Sequence, residues 1–295
     1  MGAPPGMIPG GAAWYNRSVV RRCLIVPSTR VGDLDVVWDV AGPIAGAPVL
    51  MINGLGAARG SWYLQVPALA ERYRVYTYDN RDVGETGPGE DTSTYGIDRF
   101  AHDAAGLIES LGTGPVHVIG ASMGGAIAQE LALARPDLVR SVQFVCSWPH
   151  TDPWLAELIL QWRSIFFDMG AFDWARTSWV WVFTHRWFSD PGKMAGLRHD
   201  AESYPYPQTP DMFGRQCDAV VPFDARHRLG AIPAPAHVIV GEEDIFTPPR
   251  FSRELATAIP GSTLSLLPEV GHGMFWETPD AFNAALTGFL DRTAT

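Results

Sequence analysis

Lysine is almost missing from this chain. Across 295 residues it occurs once, at Lys193, against twenty-one arginines, and the longest basic run is Arg21-Arg22. With a formal net charge of −10, that leaves no cationic face for nucleic acid or for an anionic membrane. Cysteine is scarce too. Cys23, Cys146 and Cys217 form no CxxC pair and no His/Cys cluster, so neither a disulfide framework nor a zinc site is implied. No window holds 18 uncharged apolar residues, so no transmembrane helix is expected. The opening stretch MGAPPGMIPGGAAWYN is rich in Gly and Pro but lacks a basic n-region and an apolar h-region. Residues 1–21 therefore read as a flexible extension rather than a signal peptide, and the cytoplasm is the expected compartment.

What is present is a large globular chain. Hydrophobic residues make up 46% and charged residues 18%, enough to bury a substantial core. Short apolar runs suited to strands recur: LDVVWDV (34–40), PVLMI (48–52), RVYTYD (74–79), PVHVIG (115–120) and SVQFVC (141–146). AHVIV (236–240) and STLSLL (262–267) resume the series later. Between them, Phe100, Ala104, Leu107 and Leu111 line one face of a helix, as do Ile127, Leu131 and Ala134. FSRELATAI (251–259) and the stretch from Glu277 to Leu290 read as further helices, and TRVGD as the turn of an antiparallel hairpin. Alternating strands and helices with short loops imply an α/β fold, a mostly parallel sheet covered on both faces.

That rhythm breaks over residues 147–218, which carry seven of the eleven tryptophans at helical spacing. The stretch reads as a helical cap inserted into a core of residues 22–146 and 219–295. Most of its aromatics are expected to pack within the cap and a few to face a cavity, where apolar ligands are usually held. Trp148 and Trp276 are candidate pocket residues, with Asn53 beside them.

The chemistry centres on GASMGG (120–125). A Gly-x-Ser-x-Gly between a strand and a helix forms a sharp turn that exposes its serine, Ser122, above a helix N-terminus. A serine hydroxyl needs a base to take its proton. Of eight histidines, His117 and His237 sit inside apolar strand runs and suit core roles. His272 instead follows the last strand in EVGHGMFWE, with glycine on either side to aim it. Asp244, just past strand AHVIV in GEEDIFTPP, supplies an acid to orient the imidazole, while Glu242 and Glu243 read as turn residues. The order Ser122, Asp244, His272 places each residue beyond the C-terminal end of a different strand. The Gly-rich loop NGLGAARGSW after PVLMI offers the amide of Leu55, which with that of Met123 would form an oxyanion hole.

Together, N-G-L-G (53–56), YDNRDVG (78–84), GASMGG (120–125), GEEDIFTPP (241–249) and GHGMFWETPDAF (271–282) resemble the landmarks of the α/β-hydrolase superfamily, in its order, across roughly residues 32–292. The resemblance implies an eight-stranded-type sheet with a helical cap. It also implies Ser122 as nucleophile, Asp244 as acid, His272 as base, and Leu55 and Met123 as oxyanion donors. Two positions depart from the family pattern. Asn53 stands where His is frequent, and Asp82 fills a position usually held by glycine, in a loop that Asp79 and Arg81 are expected to brace. Ser122 excludes the members with an Asp nucleophile.

The function expected is a serine hydrolase of a small, largely apolar carboxylic ester or lactone, needing neither metal nor organic cofactor. W-x-x-Q-V-P-A-L-A resembles enol-lactone hydrolases and related esterases. Trp276, four residues after His272, keeps carbon–carbon hydrolases of diketone ring-cleavage products open. Cofactor-free haloperoxidase-like enzymes, a biosynthetic role and a ligand-binding protein on the same scaffold also stay open. Cap arginines such as Arg163, Arg176 or Arg186 could offset the acidic balance for an anionic substrate. The oligomeric state is left open.

Overall fold

A computed structural model describes residues 27–93 and 95–293, so the N-terminal extension lies outside the described residues. The chain runs β1 (Ser28–Val31), β2 (Leu34–Ala41), β3 (Pro48–Ile52), α1 (Val66–Leu69), β4 (Arg74–Tyr78), α2 (Ile97–Leu111), β5 (Val116–Ala121), α3 (Met123–Ala134) and β6 (Val139–Val145). Five helices follow: α4 (Pro153–Met169), α5 (Ala171–Val182), α6 (His185–Phe188), α7 (Pro191–Ser203) and α8 (Pro210–Val220). The sheet then resumes with β7 (Ala236–Gly241), α9 (Pro249–Ala258), β8 (Thr263–Leu267), α10 (Met274–Glu277) and α11 (Pro279–Thr293). Helix was expected to run unbroken from Glu277 to Leu290. The chain instead breaks at Thr278, because Pro279 cannot donate to the preceding turn and restarts the helix at its first position.

The strands form one sheet in the order β1-β2-β4-β3-β5-β6-β7-β8. β1 and β2 pair antiparallel through the expected hairpin, β2 pairs antiparallel with β4, and every later pairing is parallel. Alternation along each strand splits the apolar residues between two cores. Leu50, Ile52, Val116 and Val118 pack with Phe100, Ile127 and Phe251 of α2, α3 and α9 on one face. Val49, Met51 and Ile119 pack with Leu69, Phe282 and Leu286 of α1 and α11 on the other. With both faces buried, loops beyond the strand C-termini are the natural place for a site. Helices α4–α8 are inserted there, between β6 and β7.

His117 and His237 are buried in the sheet: His117 Nδ1 bonds Ser141 Oγ at 2.7 Å while its Nε2 has no partner among the described residues, and His237 bonds Gln143 and Ser265. Cys146 and Cys217 are buried free thiols. No helix among the described residues is long and apolar enough to cross a membrane.

Candidate active site

Ser122 links β5 to α3 with φ 56° and ψ −121°, a conformation L-residues rarely adopt. Two glycines make the turn possible. A Cβ at Gly120 would collide with the Gly124 carbonyl, and a Cβ at Gly124 with the Ile52 carbonyl. Loop 53–56, at the end of β3, is thereby drawn against the start of α3. A Cβ at Gly54 would stand 3.0 Å from Ser122 Cβ and 3.5 Å from Oγ, so Leu55 follows at the serine itself. The Met123 amide begins α3 and, as part of a helix's first turn, has no intrahelical acceptor.

His272 Nδ1 lies 2.8 Å from Asp244 Oδ2. Asp244 is itself pinned: its Oδ1 accepts from the amides of Phe246 and Thr247 at 2.9 and 2.8 Å. Thr247 Oγ1 completes the arrangement, standing 3.0 Å from Asp244 Oδ2, 3.0 Å from His272 Nδ1 and 2.9 Å from the Cys146 carbonyl. Burial disfavours the charged His272 ring, but the neighbouring Asp244, by its charge and its hydrogen bond, outweighs it and raises the imidazole above its ordinary range. Burial pushes the Cys146 thiol up, so it is neutral at pH 7 and the anion that lifts His272 is Asp244.

Ser122 and His272 open onto one cavity of about 290 Å³, roofed by residues of α4, α5 and α7. No hydrogen bond joins the Ser122 hydroxyl to His272 among the described residues, in keeping with the looser geometry common before substrate binds. Leu55, Asn53 and Trp276 also line the cavity. The Trp276 indole N–H donates to the Ser61 carbonyl at 3.1 Å.

Trp148 does not line the cavity, which corrects its assignment as a pocket residue. It is buried in the core with Leu155, Ile159 and Phe213, its Nε1 donating to Thr151 Oγ1 at 3.0 Å. Its carbonyl accepts from Gln129 of α3 at 2.9 Å, which fixes the start of the inserted region to the sheet. The cap arginines are likewise turned away: Arg163 pairs with Asp218, Arg176 with Asp173 and Arg186 with Glu243, all at the surface.

Sequence reasoning missed Cys146, Thr247 and Gln216. Among the described residues, the grouping of metal-ligand type is Cys146, Asp244 and His272, with ligand atoms within 4.8 Å of one another. Those atoms are already engaged between Asp244 and His272, and a thiol that burial keeps protonated is a poor ligand. Gln216, on α8, is fully buried and joins two loops. Its Oε1 accepts from the Gly56 amide at 3.0 Å while its Nε2 donates to the Arg81 carbonyl at 2.9 Å. Beside it, Asp82 adopts φ 64°, the conformation that favours glycine, and holds Arg215 of α8 by two hydrogen bonds. The loop is braced below as expected, with Asp79 bonded to Arg59 and Arg81 to Asp103.

A family model of the alpha/beta hydrolase fold matches residues 47–279. A protein of Azorhizobium caulinodans provisionally named carbamate hydrolase RutD is 31% identical over 266 residues, spanning 90% of this chain and 98% of its own. One of Mycobacterium tuberculosis provisionally named non-heme bromoperoxidase BpoC is 33% identical over 264 residues, 87% of this chain and 98% of that one. Among solved structures, the enol-lactonase from Burkholderia xenovorans LB400 superposes with a TM-score of 0.81 at 25% identity, covering 90% of this chain and 100% of the other.

Proposed function

Because the chain belongs to the α/β-hydrolase fold family, we propose that it is a serine hydrolase that cleaves a small, largely apolar carboxylic ester or lactone through an acyl-enzyme. Hydrolysis on this scaffold is supported by the family and by the names its relatives carry. The finer reading rests on one observation: a strained, glycine-flanked Ser122 shares a cavity with a hydrogen-bonded Asp244–His272 pair.

In this reading Ser122 Oγ attacks the acyl carbon while His272 Nε2 takes the hydroxyl proton. Asp244 holds the opposite ring nitrogen and stabilises the imidazolium that forms. The tetrahedral oxyanion rests on the Leu55 and Met123 amides, and one such donor is worth about 100- to 1,000-fold in kcat. His272 then gives its proton to the leaving alkoxide. Water, activated by the same imidazole, attacks the acyl-enzyme and releases the acid and Ser122. The same steps serve a carbamate carbonyl, the bond for which the RutD relatives are named.

Hydrolysis of 4-nitrophenyl acetate, 4-nitrophenyl butyrate and a γ-lactone by wild type and Ser122→Ala tests the proposal. Wild type is expected to turn over at least one of them, and the variant to lose about 10³- to 10⁶-fold in rate. A Ser122→Ala enzyme as fast as wild type would refute it.

A further inference from the structure

The ring of His272 is held by Asp244, but its backbone has a separate set of supports. The amides of both neighbouring residues are engaged. Gly271 N–H donates to Glu277 Oε1 at 3.3 Å, and Gly273 N–H donates to the Val182 carbonyl at 2.8 Å. The Glu277 amide in turn donates to the Gly273 carbonyl at 2.9 Å. One glutamate thus brackets His272, through its side chain on one side and its main chain on the other.

The same carboxylate reaches the inserted helices. Thr184, in the link between α5 and α6, gives Glu277 its amide, 3.2 Å from each carboxylate oxygen, and also its hydroxyl. Thr184 is only 6% exposed, so these bonds form largely away from water, and bonds to a charged acceptor are the stronger kind. Two glycines permit the close approach. A Cβ at Gly271 would stand 3.1 Å from the Val182 carbonyl, and one at Gly273 would stand 3.0 Å from the Phe183 ring. Val182 and Phe183 also line the cavity, so one short segment borders the substrate space and grips the backbone beside the base. On the outer side, Arg186 of α6 bonds the Glu243 carboxylate at 2.9 Å and the Glu269 carbonyl at 3.2 Å, spanning the loops of Asp244 and His272. That contact is exposed and adds little.

We propose that Glu277 is a positioning residue for His272, and that Thr184 is the anchor by which the inserted helices steady it. The proposal rests on the serine-hydrolase reading and adds what keeps its base in place. Neither Glu277 nor Thr184 is among the described residues that line the cavity, so their effect passes through His272. A reacting group displaced by about 1 Å can lose on the order of 100-fold in rate, so a support of this kind bears on turnover.

Hydrolysis of 4-nitrophenyl acetate tests it, with kcat counted per site titrated to completion by a fluorophosphonate, so that unfolded protein does not enter. Glu277→Leu is expected to lower kcat by about 10- to 100-fold while KM changes by less than about 3-fold. Glu277→Gln keeps an acceptor for the Gly271 amide and is expected to stay within about 5-fold of wild type. Thr184→Val keeps the shape but removes the hydroxyl, and is expected to lower kcat by about 3- to 10-fold. Because both residues act through one contact, adding Thr184→Val to Glu277→Leu is expected to cost less than about 2-fold more. The proposal is overturned by an unchanged kcat or a change confined to KM in Glu277→Leu. It is equally overturned by a Glu277→Gln enzyme as slow as Glu277→Leu, or by single losses that multiply in the double variant. If Glu277→Leu yields no folded protein, Thr184→Val decides: a lower kcat at constant KM sustains the proposal, and an unchanged kcat overturns it. Wild type that neither turns over the acetate nor reacts with the fluorophosphonate would overturn the hydrolase reading instead.

Discussion

The rim of the sheet and the helices above it are built in different ways. At the rim, Asp244 accepts two backbone hydrogen bonds besides those to His272 and Thr247, and Ser122 stands on a turn that only glycine neighbours permit. In the inserted helices the cavity is lined largely by aromatic rings. Trp162, Phe166, Trp174 and Phe213 pack on one another, with Phe166 and Phe213 stacked at 4.4 Å. Directional bonds fix an atom to within a few tenths of an ångström. Aromatic packing fixes volume and leaves the choice of ligand open. In the proposed reading, the reacting groups are therefore set by the rim, and the substrate by the cap.

If that division is right, the largest effect outside Ser122 comes from the rim. Asp244→Asn is expected to lower kcat/KM for an activated ester by about 10⁴-fold. It should also move the acid limb of the pH profile. His272 must be neutral to act as base, so activity rises with pH through its pKa, and Asp244 holds that pKa high. Removing the carboxylate lowers it, so the limb shifts to lower pH. A limb that stays in place would show that Asp244 does not set the charge state of the base.

A smaller effect sharpens the comparison where the two regions meet. Gln216 belongs to a cap helix yet holds the Gly56 amide, one residue from the proposed oxyanion donor Leu55. Gln216→Leu keeps the size and removes the hydrogen bonds to Gly56, Arg81 and Gln208. It is expected to lower kcat by about 10- to 100-fold with KM changed by less than about 3-fold, the pattern of a lost transition-state interaction. Gln216→Glu keeps the Gly56 acceptor and should recover part of the loss. A change confined to KM would place Gln216 with the substrate-binding cap instead.

The sequence was informative where backbone rules decide. Strands of period two, the glycines of GASMGG and the positions of Asp244 and His272 after successive strands all follow from local constraints, and the structure brings Asp244 and His272 into contact. Asp82 was legible in part: a non-glycine at a glycine position proved to keep the left-handed backbone, but its tie to Arg215 depends on where α8 lands. Thr247 and Cys146 were not legible, because their roles arise from a turn that folds Thr247 back onto Asp244 and from the side-by-side pairing of β6 and β7. Trp148 was misplaced for a related reason. It stands just past the C-terminal end of β6, but the direction of its ring is set by packing among α4 and α8, which no short motif encodes. The cap arginines failed as cavity residues because each found a carboxylate at the surface first.

The central claim is that Ser122 carries the acyl group. Rapid acid quenching of the enzyme during turnover of 4-nitrophenyl acetate, followed by intact-mass and peptide mass spectrometry, reads this directly. The account predicts one acetyl group per chain, on the peptide that contains GASMGG, and none in Ser122→Ala. Steady turnover with no acyl adduct, or an adduct on Cys146 or His272 in place of Ser122, would contradict it.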